Sequence, residues 1–315
     1  MAVLKKLMYF AMLTVISCAL LLAGCGNKSA GNSSEDLSTG TAEAAVKVTM
    51  LNVGQGDAIL VETGSQTVLI DTSDVDERKK LESELKKANV SKIDKLILSH
   101  PHADHIGGVD VVLKNYPVGE IYDNGMISTN KLFINYVKAA KEQNIPRKGL
   151  KAGDVLDLGN GVTFKVLYPT AELVETATKA DKEAAETKKK GYKHDPNNES
   201  VVGILNYKSF NMFFTGDAEG PVEKKLLSTD KDVLSAQVLK SPHHGSKTGS
   251  TMNFLKAMNP KDVLISCGEG NSYGHPNDEA LQNYSEMKMN VYRTDLNGTI
   301  VLTTDGKKYI IKGEK

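Results

Sequence analysis

His100-Pro101-His102-Ala103-Asp104-His105-Ile106-Gly107-Gly108 decides how this chain reads. The nonapeptide follows the apolar run Lys95-Leu96-Ile97-Leu98-Ser99, which reads as a buried strand. Three imidazoles and a carboxylate at a strand end point to a divalent-metal site, because borderline cations such as Zn²⁺ or Mn²⁺ bind imidazole nitrogen and carboxylate oxygen. Alternation along an extended segment points His100 and His102 the same way. The turn that follows brings Asp104 and His105 back towards a second ion. Gly107 and Gly108 let the backbone pass close by.

The 315 residues suffice for one large domain or two small ones, and 40% hydrophobic with 25% charged residues is ordinary for a globular core. The net charge is zero, and without Lys5 and Lys6 the balance is 37 basic to 39 acidic residues. No overall basic surplus marks a high-affinity nucleic-acid binder, so any such contact is local. Of three cysteines, Cys18 and Cys25 lie near the start and Cys267 stands alone in the body. Disulfides therefore do not hold the body together; a hydrophobic core or a metal does. Cys267 reads as a buried filler or, alternatively, a thiolate ligand.

Residues 1–25 have the parts of an export signal: Lys5-Lys6, then the apolar run Leu7–Leu22, then small residues before Cys25. Leu22-Ala23-Gly24-Cys25 resembles a bacterial lipobox, which implies cleavage before Cys25 and a lipid on its sulfur. The chain is then expected on the outer face of the bacterial cell membrane, anchored rather than spanning. Residues 26–45 are Gly, Asn, Ser, Thr and Ala with few acids, a composition that reads as a flexible tether. A folded domain is expected over 46–315.

Strands are expected at Val46–Val53, Ala58–Glu62, Thr67–Ile70, Leu96–Leu98, Glu120–Asp123, Val155–Leu158, Val162–Tyr168, Ser200–Tyr207, Met212–Thr215, Val233–Leu239, Val263–Ser266, Asn290–Arg293, Thr299–Thr303 and Lys308–Ile311. Helices are expected at Asp76–Ala88, Val109–Tyr116, Lys131–Gln143, Pro221–Leu227, Phe254–Met258 and Asn277–Met287. Residues 171–193, rich in Ala, Lys, Glu and Thr, read as a charged insertion, either a solvated helix or partly disordered. The pattern fits two strand-rich halves packed face to face with helices outside. Asp71, at a strand end, is either a partner for a metal-bound imidazole or a cap for the next helix.

Most of the seven histidines (100, 102, 105, 194, 243, 244 and 275) stand at strand-to-loop junctions beside Gly or Pro, and Asp217 follows Thr215-Gly216 at another strand end. The chemistry this suggests is two cations sharing a carboxylate and activating water. The His-x-His-x-Asp-His core resembles the metallo-β-lactamase superfamily. The wider set resembles the corresponding domain of ComEC-type DNA-uptake proteins. That set is Val53-Gly54-Gln55-Gly56-Asp57, His100–Gly108, Thr215-Gly216-Asp217, His243-His244-Gly245-Ser246, Tyr273-Gly274-His275-Pro276 and Arg293-Thr294-Asp295.

The resemblance implies an α/β fold, the αββα four-layer sandwich, holding one or two divalent ions, Zn or Mn. By position it makes His100, His102, Asp104, His105 and Asp217 ligands, with Asp217 the bridge. His243 is the last ligand, with His244 or His275 the competitor, and Asp71 is the buried acid that steadies the histidines. Asp104, His244 and His275 carry catalytic roles. His275 is either a general acid or a structural histidine before Pro276. His244 with the Gly245-Ser246 amides forms a phosphate cradle to which Lys247 and Arg293 add charge. The sequence departs from the superfamily where Asn197-Asn198-Glu199-Ser200 replaces a ligand histidine, with His194 the nearest substitute, and where Asn52 stands for Asp.

The implied activity is metal-dependent phosphodiester hydrolysis, with DNA as substrate and a DNA-uptake machinery as partner. The alternatives are another phosphoester such as a phosphorylcholine ester, a lactone or a β-lactam, or a non-catalytic DNA-binding surface lipoprotein.

Overall fold

The computed structural model describes residues 46–187 and 190–315. The export signal, Cys25, the tether, Lys188 and Lys189 lie outside the described residues. The first half supplies β1 (Val46–Met50), β2 (Ile59–Glu62), β3 (Thr67–Ile70), β4 (Ile93–Ile97), β5 (Val118–Asp123) and β6 (Arg147–Gly149). Next come β7 (Val155–Asp157), β8 (Thr163–Tyr168), β9 (Val202–Tyr207), β10 (Phe210–Phe214), β11 (Val238–Lys240), β12 (Asp262–Ile265) and β13 (Asn290–Arg293), and the chain closes with β14 (Ile300–Thr304) and β15 (Tyr309–Gly313).

Two sheets result. One has eight strands in the order β15-β14-β1-β2-β3-β4-β5-β6, the other seven in the order β13-β12-β11-β10-β9-β8-β7. The helices are α1 (Arg78–Lys87), α2 (Ala103–Ile106), α3 (Val109–Asn115), α4 (Lys131–Glu142), α5 (Ala171–Thr187), α6 (Gly220–Thr229), α7 (Met252–Met258), α8 (Asp278–Glu286) and α9 (Thr294–Asn297).

Side-chain alternation sorts the apolar residues into three layers. Val46, Val48, Met50, Ile70 and Ile97 of the first sheet meet Phe164, Leu205, Met212 and Phe214 of the second between the sheets. Leu96 and Leu98, flanking Ile97, point the other way and pack with Leu81 and Leu85 of α1, Val112 of α3 and Tyr136 of α4. On the far side, Phe213, Leu239 and Val263 pack with Leu226 of α6, Phe254 of α7 and Tyr284 of α8. The architecture is the αββα sandwich.

Strands β3, β4, β5 and β6 run parallel, as do β10, β11, β12 and β13. The segments that follow β3, β4, β10, β11 and β12 therefore leave at carboxyl ends, the usual place for a site in a parallel sheet. The two edges meet directly: Val201 N–H donates to the Ser99 carbonyl at 2.9 Å, and Ser266 Oγ donates to the Gly56 carbonyl at 2.6 Å.

Two strands differ from the sequence reading, and the charged insertion takes its helical alternative. The strand expected at Val233–Leu239 is confined to β11, with a 3₁₀ turn at Lys231–Val233. Its neighbour β10 begins only at Phe210 and pairs Met212 with Val238, so the preceding residues have no ladder to join. Edge strand β6 went unread because all three of its residues are exposed and carry no apolar signal. The charged insertion is helical through Thr187 and buries one residue among those described, Ala177.

Candidate metal centre

The end of β4 delivers His100 and His102, and α2 delivers Asp104 and His105. The two glycines after them fix this turn against the loop that follows β3. Gly107 and Gly108 donate backbone N–H groups to the Ser73 and Thr72 carbonyls, both at 3.0 Å. A Cβ at Gly107 would collide with the backbone of Val75 and Ala103, and one at Gly108 with the Thr72 carbonyl. Asp71 sits at the start of that loop with φ 60°, a left-handed conformation uncommon for a residue with a Cβ.

Asp71 is buried behind the histidines. Its Oδ2 lies 2.8 Å from His105 Nδ1 and accepts from Ser99 Oγ at 2.7 Å, and its Oδ1 accepts from the Ser99 N–H at 2.7 Å. The cap of the following turn is Asp74, which accepts from the Asp76 N–H. The Asp71 contact turns His105 Nε2 towards the centre, as carboxylate partners of metal-bound imidazoles do.

Asp217 enters from the opposite sheet after β10 and occupies the middle. Its Oδ2 lies 3.2 Å from His105 Nε2, 3.8 Å from His100 Nε2 and 3.7 Å from His243 Nε2. Its Oδ1 lies 3.6 Å from His244 Nε2. His244 Nε2 is also 3.2 Å from Asp104 Oδ2, while its Nδ1 faces the Ser266 carbonyl at 2.9 Å. His243 turns its Nδ1 to Glu219 at 3.1 Å. His243 and His244 have φ 46° and 54°, two consecutive left-handed residues that aim both rings at one carboxylate. His275 completes the row of rings, 5.3 Å from His243 and 6.3 Å from His244.

All eight histidines and acids read from the sequence as ligands or catalytic groups thus converge, with Asp71 behind them. His194 stands apart. Its Nε2 meets Asp181 at 2.9 Å and its Nδ1 meets Glu199 at 3.0 Å, which ties the end of the insertion down. Arg293 is engaged by Asp295 through two contacts rather than presented to the centre. Burial and the adjacent Asp295 push the Cys267 thiol up to about 12, which makes it a packed, protonated filler.

Two groups escaped the sequence reading. Lys240, 1% exposed, places its Nζ 2.5 Å from Asp57 Oδ2, 4.0 Å from Asp217 Oδ1 and 3.1 Å from the Gly216 carbonyl. Burial opposes its charge, but Asp57 and Asp217 outweigh that and raise its pKa. The signal available was a single lysine closing an otherwise apolar strand, and Asp57 at the end of Gly54-Gln55-Gly56-Asp57.

Charge and geometry together test whether a cation fits. Asp57, Asp71, Asp104 and Asp217 are mostly or wholly buried against one ammonium, so negative charge is in excess, and buried charge demands a partner. Burial works against charge on His105, yet Asp217, Asp71 and Asp104 raise its pKa well above the ordinary range. Burial and His105 push His100 well below it, leaving a neutral ring. Among the described residues, His105 Nε2, His244 Nε2 and Asp217 Oδ1 are buried without a hydrogen-bond partner. Ligand atoms of Asp104, His105, Asp217 and His244 all lie within 4.8 Å of one another. A divalent ion fits that donor set. On the other side of Asp217 Oδ2, His100, His102 and His243 gather, with His100 Nε2 3.0 Å from His102 Nδ1. The second cluster, Asp57, Asp71 and His105, already has its cation in Lys240.

Residues 51–269 match the family model described as the metallo-beta-lactamase superfamily. The chain belongs to that superfamily. Relatives of this member include ComE operon protein 3 of Bacillus subtilis, 32% identical over 81% of this chain and 32% of its own length. Competence protein ComA of Neisseria gonorrhoeae is 28% identical over 80% of this chain and 31% of its own. The chain therefore spans about a third of the curated relatives it matches. Among solved structures, CmlA, a diiron beta-hydroxylase from Streptomyces venezuelae, aligns with a TM-score of 0.51 at 12% identity, over 82% of this chain and 54% of that one. That likeness concerns the fold alone. The superfamily assignment and the His/Asp cluster together give this chain the residues of a metal-dependent hydrolase.

Two expectations follow. Metal-stripped protein titrated with Zn²⁺ or Mn²⁺ takes up one or two ions by atomic emission, and its unfolding temperature rises. The gain is about 2.7 kcal/mol at a hundredfold excess over the dissociation constant; Asp217→Asn loses most of both effects. Lys240→Ala costs about 3–5 kcal/mol in denaturant unfolding, because it leaves Asp57 buried and uncompensated. The double change Lys240→Ala with Asp57→Asn recovers part of that loss.

Proposed function

We propose that this protein is a metal-dependent phosphodiesterase that cleaves DNA at the outer face of the bacterial membrane, held there by lipid on Cys25. The observation that supports it most is Asp217, whose Oδ2 faces His100, His105 and His243 and whose Oδ1 faces His244, rings from both sheets. The similarity to competence proteins supplies the DNA. The membrane position rests on Leu22-Ala23-Gly24-Cys25.

His100, His102, Asp104, His105, Asp217 and His243 or His244 would hold one or two ions. A bound ion of this kind lowers the pKa of water to give hydroxide near neutral pH and stabilises charge on a phosphate. The chain's own residues fix the geometry. Asp71 and Ser99 lock the His105 ring, and the Ser266 carbonyl fixes His244 so that its Nε2 faces Asp104. Lys240 holds Asp57 and lies 4.0 Å from Asp217 Oδ1. Burial, with His243 and His244, pushes His275 down to about 4, so this ring is neutral at pH 7. It serves as a hydrogen-bonding partner for the leaving oxygen and not as a strong acid.

A second reading has its own support. Arg293 is engaged by Asp295, and a cleft of about 880 Å³ opens beside His102. A smaller phosphoester or a lactone would suit such a cleft.

The test is cleavage of single- and double-stranded DNA by purified protein with Mn²⁺ or Zn²⁺, beside Asp104→Ala and His105→Ala. Metal-dependent cutting that both variants lose is the expected result; bound metal with no cutting of any DNA would favour the smaller ester. Asp71→Asn is expected to lose roughly 10–100-fold in metal affinity or activity. In cells, Cys25→Ala is expected to shift the protein from the membrane fraction to the soluble one, and unchanged fractionation would remove the anchor.

A further inference from the structure

The 3₁₀ turn Asn197–Glu199 stands where the sequence departs from the superfamily's ligand histidine, and its side chains face two ways. Glu199 is buried and meets His194 of the insertion, and its carbonyl accepts from Asn124 Nδ2 at 3.1 Å. Ser200, the next residue, accepts the Asp217 N–H on its Oγ at 3.1 Å. The two asparagines turn instead to Glu219, two residues beyond Asp217. Asn198 Oδ1 accepts the Glu219 N–H at 3.1 Å, while Asn197 Nδ2 and Asn198 Nδ2 each lie 3.5 Å from one of the Glu219 carboxylate oxygens.

Glu219 immediately precedes α6 and in turn faces His243. Its Oε1 lies 3.1 Å from His243 Nδ1 and accepts from Thr248 Oγ1 at 2.9 Å. Thr248 Oγ1 also lies 3.4 Å from the same ring nitrogen, and the Gly220 N–H donates to the Thr248 carbonyl at 2.8 Å. The His243 and Glu219 side chains are 22% and 21% exposed, so burial alone does not fix the pair. The asparagines on one side and Thr248 on the other do.

A neutral imidazole carries one hydrogen and one lone pair, and a carboxylate only accepts. The Glu219 contact therefore puts the hydrogen on His243 Nδ1 and leaves the lone pair on Nε2, which lies 3.7 Å from Asp217 Oδ2. Two lone-pair atoms facing each other at that separation suit a cation between them. Asp71 does the same for His105 on the first sheet. We propose that Glu219 is a positioning residue for His243, and that Asn197 and Asn198 act on the metal centre by holding Glu219 and not as ligands. The rival is Asn197 itself, whose Oδ1 is buried without a hydrogen-bond partner. The proposal rests on the metal centre and not on DNA being the substrate.

The experiment uses the full chain, stripped of metal and reloaded with Zn²⁺; it reads affinity by titration and the His243 ring nitrogens by NMR. Wild type is expected to show His243 protonated on Nδ1 with Nε2 on the ion. Glu219→Ala is expected to weaken Zn²⁺ binding roughly 10–100-fold and to lose that fixed tautomer. Glu219→Gln, whose amide oxygen still accepts from Nδ1, recovers most of the affinity. Asn198→Ala is expected to act in the same direction by less and to add nothing to Glu219→Ala, and His243→Ala to abolish the effect of Glu219→Ala. Asn198→Ala also covers the case in which Glu219→Ala fails to fold. Affinity and tautomer unchanged in Glu219→Ala, or its full effect persisting in the His243→Ala background, overturns the proposal. Asn197→Ala costing more affinity than Glu219→Ala also overturns it, by making the amide oxygen a ligand. Neither readout uses DNA, so failure of the phosphodiesterase reading is scored separately.

Discussion

The structure depends on keeping three carboxylates, and most of a fourth, out of water. Asp57, Asp71, Asp104 and Asp217 gather at the carboxyl ends of strands from both sheets, where each isolated negative charge would cost several kcal/mol. The chain answers with one ammonium, Lys240, and a set of imidazoles whose protonation the acids themselves control. Lys240 serves Asp57, whereas Asp217 is left facing rings on two sides. The uncompensated remainder is what makes the centre a receptor for cations.

The same demand explains the backbone at the site. Asp71, Ser73, His243 and His244 all adopt left-handed conformations that ordinary residues avoid. Such strain persists only where surroundings over-determine it. Here the surroundings are the Ser99 contacts to Asp71, the Ser73 carbonyl bonded by Gly107, and the Ser266 carbonyl on His244. Rigid strands provide the frame, and short strained turns aim the donors.

Much of this was legible in the sequence, for identifiable reasons. The nonapeptide puts four donors within six residues, so local geometry alone announces a site. Asp217 and the paired histidines stand at strand ends marked by Gly and Pro. The layers followed from strand-rich halves on either side of the nonapeptide with helices interspersed. Lys240 was hidden because a lysine ending a strand normally reads as solvated, and only the fold shows that Asp57 lies opposite it. Strand β6, with three exposed residues, carried no apolar pattern to read. The role of His194 was likewise unreadable, since its partner Asp181 lies a helix away in the chain. That the insertion walls a cleft beside His102 depends on packing between distant segments, which periodicity does not report.

The seam between the sheets also ties together distant parts of the chain. Ser266 and Gly56, whose hydrogen bond closes the seam, are 210 residues apart, and Asp217 belongs to a different sheet from His100 and His105. The eight-stranded sheet itself joins β1 to β14 from the far end of the chain, and neither sheet alone possesses a complete set of donors. Long-range pairing of this kind is slow, because chain-closure entropy must be met before the contacts reward it. The cation-binding pocket is therefore complete only when both sheets are joined. An ion held there would tie the two sheets together, so its binding would report a completed fold as well as readiness for chemistry.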